Sequence, residues 1–181
     1  MIEMKRHMKE RVRGLRLLPF YLFTFLLFLA ACTTIDCPGQ NLVYTRYAFK
    51  KADGSADTLN NDTLWIKTKR VDGTDTLLMN ALCGTSAFDF TLQISYTQPE
   101  DVFFTTFKDD DDDEYNYDTI RIKKENYPHF ESVDCQAAYF HKITEASVTH
   151  NAFDSISIHH STVNYYISNY HFYLYLKKDR D

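Results

Sequence analysis

The chain has 181 residues, 44% of them apolar, 15% aromatic and 25% charged, with a formal net charge of −5; that length suits one domain plus a processing segment. Only five Gly and four Pro stand against 14 Phe and 13 Tyr, which excludes a disordered, collagen-like or Pro-rich linker protein. Residues 1–31 hold six basic and two acidic side chains, leaving 14 basic and 23 acidic downstream, a net −9 that repels phosphate backbones and argues against a nucleic-acid partner.

The N-terminus reads as a leader. Lys5, Arg6, Lys9, Arg11, Arg13 and Arg16 form a basic region, and an apolar run from Leu17 to Leu29 follows, too short for a comfortable transmembrane span. The ending Leu29-Ala30-Ala31-Cys32 resembles a bacterial lipobox. That reading makes residues 1–31 a signal-peptide helix removed before Cys32, whose thiol would carry acyl chains of the palmitate kind. Two or three chains anchor durably, whereas one is marginal. Thr33 and Thr34 follow in place of the Asp that holds many lipoproteins at the inner membrane, so the expectation is an outer-membrane lipoprotein, on either face.

Residues 32–40 form a tether, 41–178 a single β-domain and 179–181 a polar tail. Strands are expected at 42–49, 63–69, 75–79, 88–96, 102–107, 117–123, 138–144, 154–159 and 170–177. The clearest is the run in which Phe88, Phe90, Leu92, Ile94 and Tyr96 alternate with polar residues. Turn signals separate the strands: Asp53-Gly54 and Asp72-Gly73, read as two-residue turns, then Asn80 to Gly84, Gln98-Pro99, the acidic run 109–114 and Asn126-Tyr127-Pro128. Eight or nine short strands without a helical period indicate an all-β, antiparallel β-sandwich, immunoglobulin-like in type.

Of the four cysteines, Cys32 would be lipidated. Cys37 and Cys135 follow an Asp in similar contexts at strand edges and are the disulfide candidates, leaving Cys83 free. Asp-(Thr/Ser)-aliphatic tripeptides recur five times, making Thr58, Thr63, Thr76, Thr119 and Ser155 candidate O-glycosylation sites, although each Asp would also cap a turn. Asp109, Asp111 and Asp113 offer oxygen atoms to Ca²⁺ but lack EF-hand spacing, and a solvated hairpin tip is the simpler reading. The histidines show no metal-ligand spacing. No cofactor motif and no nucleophile–base arrangement occurs, so no catalytic residue is assigned.

The segments Ile35-Asp36-Cys37-Pro38, Val43-Tyr44-Thr45-Arg46-Tyr47, Gln98-Pro99-Glu100-Asp101-Val102, Pro128-His129-Phe130-Glu131-Ser132-Val133-Asp134-Cys135 and Asp154-Ser155-Ile156 together resemble Bacteroidetes lipoproteins known only as a domain of unknown function. The resemblance implies a lipid-anchored, extracytoplasmic β-domain and, as a partner, an outer-membrane β-barrel protein. The functional expectation is a non-enzymatic structural or adaptor module docking on an outer-membrane protein. The alternative is a glycan- or peptide-binding module using Tyr173 and Tyr175, with an envelope enzyme behind both.

Overall fold

Period-2 alternation decides which residues face inward. In β5 (Glu100–Lys108) the inward set is Asp101, Phe103, Thr105 and Phe107, and in β6 (Tyr115–His129) it is Asp118, Ile120, Ile122 and Lys124. The computed structural model describes residues 42–111 and 113–177, with Pro19, Phe23, Thr24 and Cys37 upstream. The lipidation expected at Cys32, most of the leader and tether, Asp112 and the tail lie outside the described residues. The chain divides into Met1–Cys37 and Pro38–Asp181, and every strand belongs to the second unit.

The other strands are β1 (Tyr44–Lys50), β2 (Asn60–Lys69), β3 (Asp75–Gly84), β4 (Asp89–Gln93), β7 (Ala138–Val148), β8 (Phe153–Ile158), β9 (Thr162–Val163) and β10 (Phe172–Leu176). They form a four-stranded sheet in the order β4-β1-β10-β8 and a six-stranded sheet in the order β3-β2-β5-β6-β7-β9. Every pairing is antiparallel except that of β1 with β10, where Tyr47 lies opposite Phe172. The domain is thus the expected all-β sandwich. Its strand order differs from the immunoglobulin order, in which the second strand lies between the first and the fifth. Here β2 lies between β3 and β5, because the hairpins β2–β3, β5–β6 and β6–β7 keep sequence neighbours side by side.

The core is aromatic. The Tyr47 ring lies between Phe90 and Phe172 at 4.8 Å from each, and Phe107 meets Phe153 edge-on at 6.4 Å. Such pairs contribute about 0.5–1.5 kcal/mol each beyond their buried area. Two sequence readings need correction. The residues Asn80 to Gly84 do not turn but continue β3 as an irregular edge strand, with Ala81 at φ 55° and register shifts against β2. Asn126-Tyr127-Pro128 belongs to β6, opposite His141, Phe140 and Tyr139. Beyond Lys123, β6 has lost its β5 neighbour and is a one-sided strand, a setting that tolerates proline. At the Asp-Gly sites the loops close over Lys51–Ser55 and Arg70–Thr74. A single glycine takes positive φ in each, 84° at Gly54 and 82° at Gly73, and the preceding Asp accepts from the residue after the glycine.

Asp118 ties the two sheets together. Its side chain is buried beside Ile120, yet it accepts from Thr149 Oγ1 at 2.6 Å, Asn151 N at 3.0 Å, Ala152 N at 2.7 Å and Phe153 N at 3.1 Å. Those four donors form the crossover that carries the chain from β7 in one sheet to β8 in the other. Replacing the carboxylate by a methyl, Asp118→Ala, strands buried donors and should lower unfolding free energy by about 3 kcal/mol or more in urea titrations. A loss below about 0.5 kcal/mol, the range of ordinary surface substitutions, would remove Asp118 from this role.

Candidate functional site

The register places a connected set of polar and aromatic side chains on the outer face of the four-stranded sheet. Ala48 pairs with both Asp89 and Tyr173, so Arg46 and Lys50 of β1, Asp89 of β4, and Tyr173 and Tyr175 of β10 share that face. Arg46 Nε donates to Asp89 Oδ2 at 3.0 Å and its Nη2 closes on the same oxygen. The guanidinium lies 4.3 Å from the centre of the Tyr170 ring, and Tyr170 OH donates to Asp89 Oδ2 at 3.1 Å. Burial, and then the hydrogen bond to Asp89, hold the Tyr170 hydroxyl above the usual phenol range. Tyr173 stacks with His159 at 4.5 Å, and Lys50 Nζ lies 5.3 Å from the centroid of the Tyr173 ring. The Tyr170 and Tyr173 rings are therefore each fixed by a charge or another ring while remaining half-buried.

At the end of this sheet where β1 leaves and β8 begins lies an open groove of about 980 Å³. Tyr175 and Lys177 line it from β10 and its end, Asp57, Thr58, Asn60 and Asp62 from the segment entering β2, and Asp154 and Ser155 from β8. Residues from three of the five Asp-(Thr/Ser)-aliphatic tripeptides meet here. Thr58 Oγ1 donates to Asn60 Oδ1 at 2.9 Å and Ser155 Oγ to Asp154 Oδ2 at 2.9 Å. The remaining hydroxyls are dispersed: Thr63 in β2 opposite Lys108, Thr76 in the edge strand β3, and Thr119 in β6 between β5 and β7. All five are half-buried.

At the acidic hairpin, Lys108 Nζ lies 2.7 Å from Asp113 Oδ1 and 3.6 Å from Asp110 Oδ1, while Asp109 Oδ1 accepts from Asp111 N at 3.1 Å. The lysine places a positive charge among the carboxylates. Asp109, Asp111 and Asp113 do not converge on one point, and no metal-holding group of acidic, His or Cys residues occurs among the described residues. Cys37 and Cys135 are each disulfide-bonded, and Cys83 is a free, exposed thiol.

A second polar constellation lies inside. Lys124 is buried between the sheets and donates to Asp101 Oδ2 at 2.5 Å and Gln98 O at 2.7 Å, while Asp101 Oδ1 accepts Ser95 N at 2.9 Å. Asn126 Nδ2 joins the same Gln98 carbonyl at 3.0 Å, and its Oδ1 meets His141 Nδ1 at 2.7 Å, which assigns the proton to that nitrogen. Burial lifts the Asp101 carboxyl above the ordinary carboxylate range against the pull of Lys124. Burial first, and then Lys124, depress His141 to about 4; burial and His160 depress His171 to about 4. His171 Nδ1 accepts Arg46 N at 3.0 Å and so lies just beneath the outer-face cluster. The sequence did carry a signal for these groups: Asp118 and Lys124 share the parity of Ile120 and Ile122, and Asp101 that of Phe103.

A family described as a family of unknown function, DUF6452, matches residues 63–176. The chain belongs to this family. The match runs from within β2 to the end of β10, so the DUF6452 region contains the buried network, the Asp118 crossover and the part of the outer face that β4 and β10 supply, while Arg46 and Lys50 of β1 precede it. No curated protein and no solved structure matches the chain.

Two outcomes follow for this DUF6452 domain. Lys124→Met leaves the Asp101 carboxylate buried without its cation and should cost about 3–5 kcal/mol by urea unfolding, whereas Asp101→Asn with Lys124→Met recovers much of the loss; equal losses in the single and double variants would dismiss the pairing. The second concerns acid. An unfolded His protonates near 6.5 while His141 and His171 hold out to about 4, so their contribution to stability is complete above pH 6.5 and declines as pH falls towards 4. Asp101, with its raised carboxyl, acts in the opposite sense in all variants. His141→Gln and His171→Gln should therefore lose less melting temperature between pH 7 and pH 4.5 than the parent chain, and an equal loss would contradict the depressed values.

Proposed function

We propose that the chain is a lipid-anchored cell-envelope module, held at the outer membrane through acylated Cys32, that docks without catalysis on an outer-membrane protein of the β-barrel class. The observation that supports this best is the outer face of the four-stranded sheet. Arg46, Asp89, Tyr170, Tyr173 and His159 hold one another in fixed positions and leave aromatic surface open to solvent. Pre-positioned Tyr and Arg are the side chains that dominate protein interfaces, because little rotamer entropy remains to be lost on binding. Lys124 and the carboxylates of Asp101 and Asp118 are in contrast committed to holding the sandwich together.

The groove beside Tyr175 favours a second reading, a glycan- or peptide-binding module. A tyrosine wall flanked by Asp57, Asn60 and Asp154 offers a flat apolar surface with hydrogen-bonding groups at its edge, the chemistry that suits a sugar ring. Glycosylation of the chain itself at Thr58 or Ser155 would occupy the same groove.

The docking reading is tested by crosslinking in intact envelopes and recovering the full-length lipoprotein. A stoichiometric outer-membrane protein whose recovery drops about ten-fold or more with Tyr173→Ala supports it; recovery that ignores Tyr173→Ala and Arg46→Ala overturns it. A thermal shift with soluble glycans that Tyr175→Ala abolishes would move the assignment to the groove. Cys32→Ser is expected to release the protein from membranes, and retention would refute lipidation.

A further inference from the structure

The two ends of the sandwich differ in chemistry, and the chain enters at one of them. β1 begins at Tyr44, opposite Gln93 at the end of β4, and its parallel register with β10 places it beside the segment 164–171 that precedes β10. The segment that follows β4 joins this end to the other sheet, where Ser95 N donates to Asp101 Oδ1 at the start of β5 at 2.9 Å. The β2–β3 hairpin at 70–74, the start of β5, the end of β6 and the start of β7 all lie there, since Thr68 pairs with Phe103, Glu100 with Lys123 and His129 with Ala138. Rings tie the segment before β10 to β6 and β7: Tyr165 lies 5.0 Å from Phe140 and 6.3 Å from His129.

The tips of these loops are apolar and exposed: Val71 at 91%, Phe130 at 61%, Val133 at 97%, Tyr166 at 77% and Ile167 at 39%. The charges beside them include Lys69, Arg70 and Arg121 and, of opposite sign, Asp72, Asp75, Glu100, Glu131 and Asp134; Lys69 stands opposite Asp75, Glu131 is held by His129 at 3.1 Å and Glu100 faces Arg121 at 3.6 Å. The opposite end carries the acidic run from Asp109 to Glu114 and the Tyr175 groove. β6 links the two ends over 15 residues, about 50 Å of strand.

We propose that this apolar end docks into the interfacial layer of the membrane to which the lipid anchors the chain, with Phe130, Val133, Tyr166 and Ile167 at headgroup depth. The inference rests on the lipidation of Cys32. Between Cys32 and β1 stand 11 residues, 33–43, a span of about 35–40 Å when fully extended. β1, to which they lead, begins at the apolar end. A domain tethered there meets the bilayer with this end first. Amphipathic rings and aliphatic tips favour the interfacial layer, while six adjacent carboxylates at the far end are repelled by anionic headgroups and kept in water. The orientation leaves the groove facing away from the membrane.

The test uses the full-length lipoprotein isolated from membranes, reconstituted in neutral phosphatidylcholine vesicles with brominated acyl chains. In a Trp65→Phe background, Phe130→Trp and Val133→Trp place a reporter at the apolar end and Asp111→Trp a control at the acidic tip. The expected result is a blue-shifted emission at 130 and 133 with several-fold stronger bromine quenching than at 111. Equal quenching at the three positions overturns the proposal. A blue shift without quenching also overturns it, because protein, a second copy of the chain included, then covers the patch in place of lipid. Cys32→Ser separates the premise: loss of the variant from floated vesicles upholds lipidation whatever the quenching shows, while continued flotation with quenching at 130 keeps the docking and removes the lipid anchor.

Discussion

A sandwich whose inner surface carries carboxylates and a lysine stands only if each is satisfied within, and the Asp118 carboxylate is the point on which most depends. A buried carboxylate is costly unless hydrogen-bonded, and here four donors from one short stretch of chain converge on it. Those donors would otherwise be orphaned themselves, since residues 149–153 leave one sheet before joining the other. One side chain thus settles two deficits at once. It also fixes where β8 starts, and through β8 the position of β10 against which β1 makes its parallel pairing.

The other buried pair acts at the opposite end of β6. Lys124 and Asp101 sit across the β5–β6 hairpin, and their remaining hydrogen-bonding capacity goes to the backbone of the segment 95–98 that connects the sheets. Both buried charge sites therefore brace crossovers rather than strands. Strand pairing supplies its own hydrogen bonds, but a connection passing from sheet to sheet has none until a side chain reaches it. A buried ion pair of this kind adds little net stability over an apolar replacement, and its value lies in specifying one arrangement.

How much of this could be read from the sequence follows from the range of each interaction. Alternation is local, so the strands and the two-layer architecture were visible; the turn-capping role expected of Asp in the repeated tripeptides is not the role of Asp118, which lies within β6 and accepts from donors at 149–153, 31 to 35 residues away. Pro128 and Gly84 misled because their effect depends on whether a neighbouring strand is present, which is a tertiary fact. β9, two residues long, carries no period at all. For the outer face, Tyr173 and Tyr175 stood out as strand aromatics, but Arg46, Asp89 and Tyr170 are brought together from separations of 43 and 81 residues and nothing local marks them.

The same long-range assembly gives the molecule its polarity. Aliphatic and aromatic loop tips scattered through the sequence at 71, 130, 133, 166 and 167 look like unrelated surface residues, and singly they would need no explanation. The strand directions gather them at the end where the chain enters, while hairpin reversals send the Asp-rich run and the three groove-lining tripeptide segments to the other. If the entering segment carries a lipid, this distribution matches the order of environments that a membrane-tethered domain meets, from headgroup layer to water. On that proposal the surfaces take separate roles: the apolar end towards the bilayer, the Arg46–Tyr173 face towards a protein beside it, and the groove towards the aqueous compartment. A partner embedded in the same membrane would reach the side face without displacing the apolar loops, so docking on the bilayer fixes the domain's rotation relative to such a partner and reduces the entropy lost on meeting it.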